Sequence, residues 1–435
     1  MHASSVAASE PPVATLPRFP GIPSIVDGSE AIGSVETRIA EAACAYPITP
    51  STTMAAVFQS AVANGQRNLW GTSLAFQEPE SEHSSASAAE GFAVAGGRVT
   101  NFTAGQGLIL MKEVLYVIAG KRLPAVFHVG ARALTSQALN IHAGHDDIYG
   151  VADTGWGIVV ARNAQEAADL TAIARRTAEA TETPFLVCQD GFLTTHTMEN
   201  VWLPEDDLLR EFVGDPRDHL RDLFDPAQAL MTGVVQNQDS YMKGRIAQRG
   251  FTDRVAPILA HDMALWGELT GRSYGLVAPY RCDDAEAILV AMGTMADTAI
   301  SVVDHLRSQG RRVGVLNVTS FRPFPATEIA SVLAGATAVA IVERADEPLA
   351  ADNPLTRETK AALYDHATAH GQAGPIVLTV AAGLGSRDIA GADLIAIFDR
   401  LADPAAVRAQ PRAVVGIRHP LALTAPAVDL RPEGA

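Results

Sequence analysis

Apolar residues along this chain recur in two alternating rhythms, one with helical spacing and one of short continuous runs. Residues 30–45 (EAIGSVETRIAEAACA) read as an amphipathic helix, followed by a short extended segment, YPITP, that ends at Pro50. A helix is predicted over 52–64 and a strand over 69–76. A helix of small residues is predicted over 82–97. A strand over 98–103 (RVTNFT), a glycine turn and a helix over 107–120 follow. PAVFHVGA, WGIVVA and PFLVCQD are apolar enough for strands buried on both faces, with a helix over 164–181 between the last two. This alternation predicts an α/β fold with a parallel sheet covered by helices on both sides.

Residues 200–255 break the rhythm. They are irregular and richer in charge, with Pro204 and Pro216, and read as a connection between domains. A second α/β block begins near residue 271. Its predicted strands are AILVAMG, RVGVLNV, ATAVAIVER, PIVLTVAAG and AVVGI, with helices such as 294–309 and 326–334 between them. Residues 1–22, rich in Pro, Ser and Ala, read as a flexible arm, free or wrapped around a neighbour. The start lacks a basic stretch followed by an apolar core, so no secretory leader is expected. No apolar run reaches about 18 residues, so no membrane span is expected, and a cytoplasmic location follows.

Composition narrows the functional classes. A length of 435 residues suggests two or three domains. The formal net charge of −16 argues against nucleic acid, which demands a positive footprint. Charged residues are only 19% of the chain, which implies surface buried against other subunits. Cys44, Cys188 and Cys282 are scattered without a CxxC pair, so no disulfide framework is expected. Nor do they supply the four thiolates an iron–sulfur cluster usually takes.

Five segments carry candidate chemistry. In Tyr46-Pro47-Ile48-Thr49-Pro50-Ser51, two prolines stiffen a turn where open α/β sheets bind ligands. Thr49 offers a hydroxyl to an anion there; on this segment alone an ordinary Ser/Thr cap after a proline turn is the default reading. In Glu78-Pro79-Glu80-Ser81-Glu82-His83, three carboxylates crowd a helix start, which the helix dipole favours. The small residues that follow, SSASAAEGFAVAGG, let a cofactor or partner approach, and a glutamate desolvated there can exchange a proton with a heteroaromatic nitrogen. Thr103-Ala104-Gly105-Gln106-Gly107 is a tight turn with exposed N–H groups and is not a dinucleotide fingerprint. Arg132 follows the apolar strand PAVFHV, placed for a fork onto a carboxylate or for a structural ion pair. The loop Asn140–Asp147 holds two His and two Asp; it reads as a polar active-site loop bonding substrate or a neighbour, and no metal ligand is assigned.

Taken in order, YPITPSTTM, ESEHSSASAAEG, FTAGQGLILM, LPAVFHVGARAL, HAGHDDIY, DTGW, PFLVCQDGFLTTHT, VVQNQDSYMKGR, VGVLNVTSFRPFP and AVVGI make the chain similar to the pyruvate:ferredoxin oxidoreductase family, from about residue 25 to 420. The resemblance implies a thiamine diphosphate pyrimidine-binding domain over residues 23–255 and a transketolase C-terminal-like domain over 256–435. It implies the α subunit of a 2-oxoacid:ferredoxin oxidoreductase, which decarboxylates pyruvate with coenzyme A to acetyl-CoA and CO2. By that resemblance Glu82 bonds the aminopyrimidine ring nitrogen and exchanges its proton, while Thr49 and Arg132 hold the substrate carboxylate. Pro47, Ile48, Gly105 and Gln106 complete the cofactor's surroundings. The family's GDG diphosphate motif and its metal-binding asparagine do not occur here. Mg2+ and diphosphate are therefore expected on a β subunit. [4Fe-4S] clusters are expected on partner subunits, among them γ and ferredoxin-like δ subunits that pass electrons to ferredoxin or another acceptor. The same chemistry on phenylglyoxylate, a branched-chain 2-oxoacid or 2-oxoglutarate stays open, as do a transketolase-type activity and a non-catalytic partner role.

Overall fold

The computed structural model describes residues 17–417 and the backbone of the strand Ala427–Asp429. Two seven-stranded sheets dominate it. The first runs, in spatial order, Ser320–Arg322, Gly157–Ala161, Phe185–Asp190, Val126–Ala131, Val99–Thr103, Ala42–Cys44 and Ala75–Gln77. All its pairings are parallel except that of Ser320–Arg322, which joins the edge antiparallel to Gly157–Ala161. The second runs Ala427–Asp429, Arg412–Val415, Ile376–Ala382, Ala338–Glu343, Ala287–Ala291, Val313–Val318 and Val277–Tyr280, parallel but for the last.

Central strands such as Val126–Ala131 and Phe185–Asp190 are buried at every residue, as expected where helices cover both faces of a parallel sheet. On one face of the first sheet Ile32, Phe58, Phe102, Ile173 and Trp266 pack together. On the other, Phe127, Ile158 and Leu186 share one continuous apolar cluster with Leu316, Phe321 and Ile341 of the second unit. Each such fully buried side chain contributes about 1.5–3 kcal/mol. The cluster therefore welds the two units together.

Several expectations are revised. The helix read over 30–45 ends at Ile39, and Ala42–Cys44 is instead a strand between Val99–Thr103 and Ala75–Gln77. Alanine-rich sequence is compatible with either state, and pairing within the sheet decides. The stretch read as irregular over 200–255 contains the helices Asp206–Val213 and Gln238–Ala247. The latter buries no residue, so it shows little of the apolar periodicity that marks a packed helix. The helix Val255–Thr270 packs in the first unit, with Trp266 edge-on to Phe212 at 4.8 Å between ring centroids. The divide expected at 255/256 thus coincides with the start of a helix of the first unit. Of the arm expected over 1–22, residues 1–16 lie outside the described residues. The rest lies against its own chain: the Phe19 N–H donates to the Leu269 carbonyl at 3.0 Å, and Ile22–Val26 pairs with Glu199–Leu203.

Candidate active site

The parallel strands Ala42–Cys44, Val99–Thr103 and Val126–Ala131 end on one edge of the first sheet. Tyr46–Ser51 follows the first of them, Thr103–Gly107 closes the second, and Arg132 follows the third. Three separate sequence segments thus meet at the edge where such sheets bind ligands.

The Tyr46–Ser51 loop is seated by the buried Pro50. A Cβ on Gly130 would stand 3.0 Å from the Pro50 Cγ, and one on Gly191 2.7 Å from it, so both positions exclude larger residues. Ser51 makes no side-chain cap on the following helix; its hydroxyl donates to the Ile48 carbonyl at 2.7 Å. Pro47 and Thr49 are exposed and Ile48 is half-buried. The contact from Thr49 into the site is made by its carbonyl, which accepts from Arg132 Nη1 at 2.9 Å. Among the described residues its hydroxyl makes no hydrogen bond.

Arg132 is buried, yet no carboxylate lies within ion-pair distance of it among the described residues. Its side chain donates to carbonyls only, those of Thr49 and, through Nε at 3.2 Å, of Asn140. A structural ion pair is therefore not what this arginine makes. Burial weakens its hold on the proton, and the nearby charges of Asp147 and Glu82 offset that.

Glu82 opens the helix Glu82–Val94, behind a capping box formed by Ser81 and Ser84. Glu78 and Glu80 are exposed, whereas Glu82 is half-buried and has no hydrogen-bond partner among the described residues. It faces the Thr103–Gly107 turn. A Cβ on Gly107 would come 2.7 Å from Glu82 Cγ, 2.8 Å from its Oε1 and 2.9 Å from Thr103 Oγ1. Two glycines give this turn its shape. Gly105 adopts φ +47°, and a Cβ there would stand 2.9 Å from Arg132 Cδ. The turn therefore touches Glu82 on one side and Arg132 on the other. Gln106 donates to Thr135 Oγ1 at 2.5 Å, while its Oε1 and the Thr103 hydroxyl are buried without partners. A half-buried carboxylate beside orphaned polar atoms and a glycine cradle fits a flat heteroaromatic ligand that brings its own donors.

The loop Asn140–Asp147 spends its polar groups within the chain. Asp147 is fully buried and accepts from three backbone N–H groups: Gly105 at 2.8 Å, Arg132 at 2.9 Å and Ile148 at 2.8 Å. Burial drives its carboxyl up to about 7, against the pull of those donors. His145 Nε2 lies 2.8 Å from Asp190 Oδ1, and Asp190 also accepts from Thr294 and from Arg344 Nε at 3.2 Å. Burial alone would raise the Asp190 carboxyl; Arg344 and His145 outweigh it and hold the group well below the usual carboxylate range. The loop also reaches the second unit directly, the His145 N–H donating to the Arg344 carbonyl at 3.0 Å and the Ala143 N–H to Ser386 Oγ at 2.8 Å. Among the described residues no group of three His, Cys, Asp or Glu is placed to hold a metal ion. Asp147 lies in the loop read as polar, whereas Asp190 and Arg344 belong to no candidate segment; their signal is a polar residue closing an apolar strand, as Asp190 closes PFLVCQD.

A cleft of about 1080 Å³ opens on the far side of the Arg132 loop, between the units. Leu134, Asn140 and Tyr149 line it from one unit, and Arg322 and Arg357 from the other; Glu82 and Thr49 lie outside it.

The family described as "Pyruvate flavodoxin/ferredoxin oxidoreductase, thiamine diP-bdg" matches residues 34–263. "Pyruvate:ferredoxin oxidoreductase core domain II" matches residues 285–394. The chain is 36% identical over 382 residues to a pyruvate-flavodoxin oxidoreductase of Klebsiella pneumoniae, covering 87% of this chain and 32% of that protein. It thus spans about a third of the length of the long curated relatives it matches. It is also 36% identical over 367 residues to the pyruvate synthase subunit PorA of Thermotoga maritima, covering 84% of this chain and 90% of that subunit. Among solved structures, a 2-oxoglutarate:ferredoxin oxidoreductase from Magnetococcus marinus superposes with a TM-score of 0.63 at 16% identity, over 88% of this chain and 65% of that one, a likeness of fold. With both of its domains matched in order and a full-length subunit among its relatives, this chain belongs to the pyruvate flavodoxin/ferredoxin oxidoreductase family.

Proposed function

We propose that this chain is the subunit of a 2-oxoacid:ferredoxin oxidoreductase that grips the pyrimidine side of thiamine diphosphate and the carboxylate of pyruvate. The observation that carries this reading is the Thr103–Gly107 turn, whose two glycines lie directly against Glu82 and Arg132. One short turn thereby sets a proton-exchanging carboxylate and an uncommitted guanidinium beside each other. When bound, thiamine diphosphate supplies the electron sink for loss of CO2. Glu82 would hold a ring nitrogen of that cofactor and exchange a proton with it. Arg132, with the Thr49 hydroxyl, orients the substrate carboxylate by charge-assisted hydrogen bonds. The identity to pyruvate oxidoreductases and to a pyruvate synthase subunit supports pyruvate over other 2-oxoacids.

The site is half a site. No motif for diphosphate or Mg2+ occurs in the sequence, and its three cysteines are buried and far apart in the sequence. The proposal therefore includes a β subunit with Mg2+, diphosphate and a [4Fe-4S] cluster, further cluster-bearing subunits, coenzyme A as co-substrate and ferredoxin as acceptor. Exposed apolar side chains over residues 224–246, among them Phe224, Met231, Val235, Tyr241 and Met242, support a surface that assembly covers. The test is turnover of the assembled complex against a panel of 2-oxoacids with coenzyme A and a viologen dye. Pyruvate should be preferred, and the purified single chain should be colourless and inert. Iron–sulfur absorption or dye reduction by this chain alone would overturn the division of labour.

A further inference from the structure

We propose that Asp147 is a positioning residue, a strut that sets Arg132 and the Gly105 turn at a fixed separation. The inference rests on the reading of Arg132 as the substrate clamp. A single carboxylate oxygen, Oδ2, accepts from the N–H of Gly105 at 2.8 Å and from the N–H of Arg132 at 2.9 Å. Those two N–H groups lie just past the ends of neighbouring strands, Val99–Thr103 and Val126–Ala131. Among the described residues no backbone hydrogen bond joins them directly. The strut supplies the missing connection. Its other oxygen is held by the Ile148 N–H at 2.8 Å, which fixes the carboxylate plane.

Asp147 is fully buried and touches neither open face of the site, so it acts through what it holds. Its own position is secured from the second unit. Two residues earlier, His145 donates its N–H to the Arg344 carbonyl at 3.0 Å and bonds Asp190 through its ring. Meanwhile the Asn140 carbonyl at the start of the same loop accepts from Arg132 Nε. One loop thus holds the backbone of Arg132 at one end and its guanidinium at the other. Small displacements of a clamp cost far more in rate than in fold stability, because the reacting geometry tolerates little error.

The experiment uses the assembled complex with pyruvate, coenzyme A and a viologen dye, comparing Asp147→Asn, Asp147→Ala and Arg132→Ala with the Asp147 variants built on Arg132→Ala. The amide retains one acceptor oxygen, so KM for pyruvate should rise severalfold in Asp147→Asn and roughly tenfold or more in Asp147→Ala. On the Arg132→Ala background the same changes should add little, since the group they position is gone. A purely structural role would instead lower the melting temperature and multiply with Arg132→Ala. If Asp147→Ala fails to assemble, Asp147→Asn decides: a raised KM that vanishes on the Arg132→Ala background supports the strut, and a parent-like KM overturns it. Raised KM in Arg132→Ala beside parent-like KM in both Asp147 variants overturns the strut alone. Parent-like KM in Arg132→Ala itself overturns the clamp, and the strut with it.

Discussion

Arg175 and Arg132 are both buried arginines of the first unit, and their surroundings differ in kind. Arg175 Nη2 lies 3.1 and 3.3 Å from the two oxygens of Glu36, and His128 Nε2 lies 2.8 Å from the same carboxylate. Burial alone would raise the Glu36 carboxyl; Arg175 and His128 outweigh it and hold it below its ordinary value. Every charge in that cluster has a counter-charge, and all three residues are sealed from solvent. Arg132 has two carbonyls and no carboxylate partner. A buried cation costs free energy unless it is paired. A paired one fits a scaffold role, and one bonded to carbonyls alone fits the proposed role of anion clamp.

The comparison can be broken by four substitutions in the assembled complex. Glu82→Gln should lose roughly 10²–10⁴-fold in kcat, the usual worth of a positioned proton-transfer group, with thiamine diphosphate still bound. Near-parent turnover in that variant would remove Glu82 from the chemistry. Glu36→Ala leaves Arg175 buried and unpaired, so it should destabilise the fold by about 3–5 kcal/mol, seen as a large fall in melting temperature or soluble yield. A neutral effect on stability would show that the cluster is not a scaffold. Arg132→Ala should cost about 1.5–3 kcal/mol in kcat/KM for pyruvate, through KM, with little change in melting temperature. Destabilisation as large as that of Glu36→Ala would erase the distinction drawn here. Thr49→Ala should be mildest, about 0.5–1.5 kcal/mol in kcat/KM, because the carbonyl that meets Arg132 survives the substitution. A loss equal to that of Arg132→Ala would mean the hydroxyl carries more of the anion than its exposure suggests.

Much of this architecture is legible in the sequence because parallel strands are locally loud. PAVFHVGA and PFLVCQD are apolar at nearly every position, and the glycines and prolines that end them mark the turns where side chains of the proposed site sit. What stayed hidden depends on partners far away in sequence. Ala42–Cys44 reads as helix until Val99–Thr103 and Ala75–Gln77 flank it. The two histidines and two aspartates of Asn140–Asp147 read as a polar active-site loop; only in three dimensions do Asp147 and His145 turn inward to backbone N–H groups and Asp190. Ser320–Arg322 carries no sign in sequence that it belongs to the other sheet.

That last strand has a consequence for how the chain is made. The Val160 N–H donates to the Thr319 carbonyl at 2.8 Å, so the outer edge of the first sheet is closed by residues that follow the second unit's first three strands. Chains emerge from the ribosome in order, and an upstream domain ordinarily folds before the next is finished. Here the edge at Gly157–Ala161 stays open until residue 322 has been synthesised, presenting unpaired N–H and carbonyl groups to any passing strand. A nascent chain that stops short of residue 322 lacks the strand that closes this edge, and a ribosome stalled near residue 270 should hold the chain with that edge unpaired.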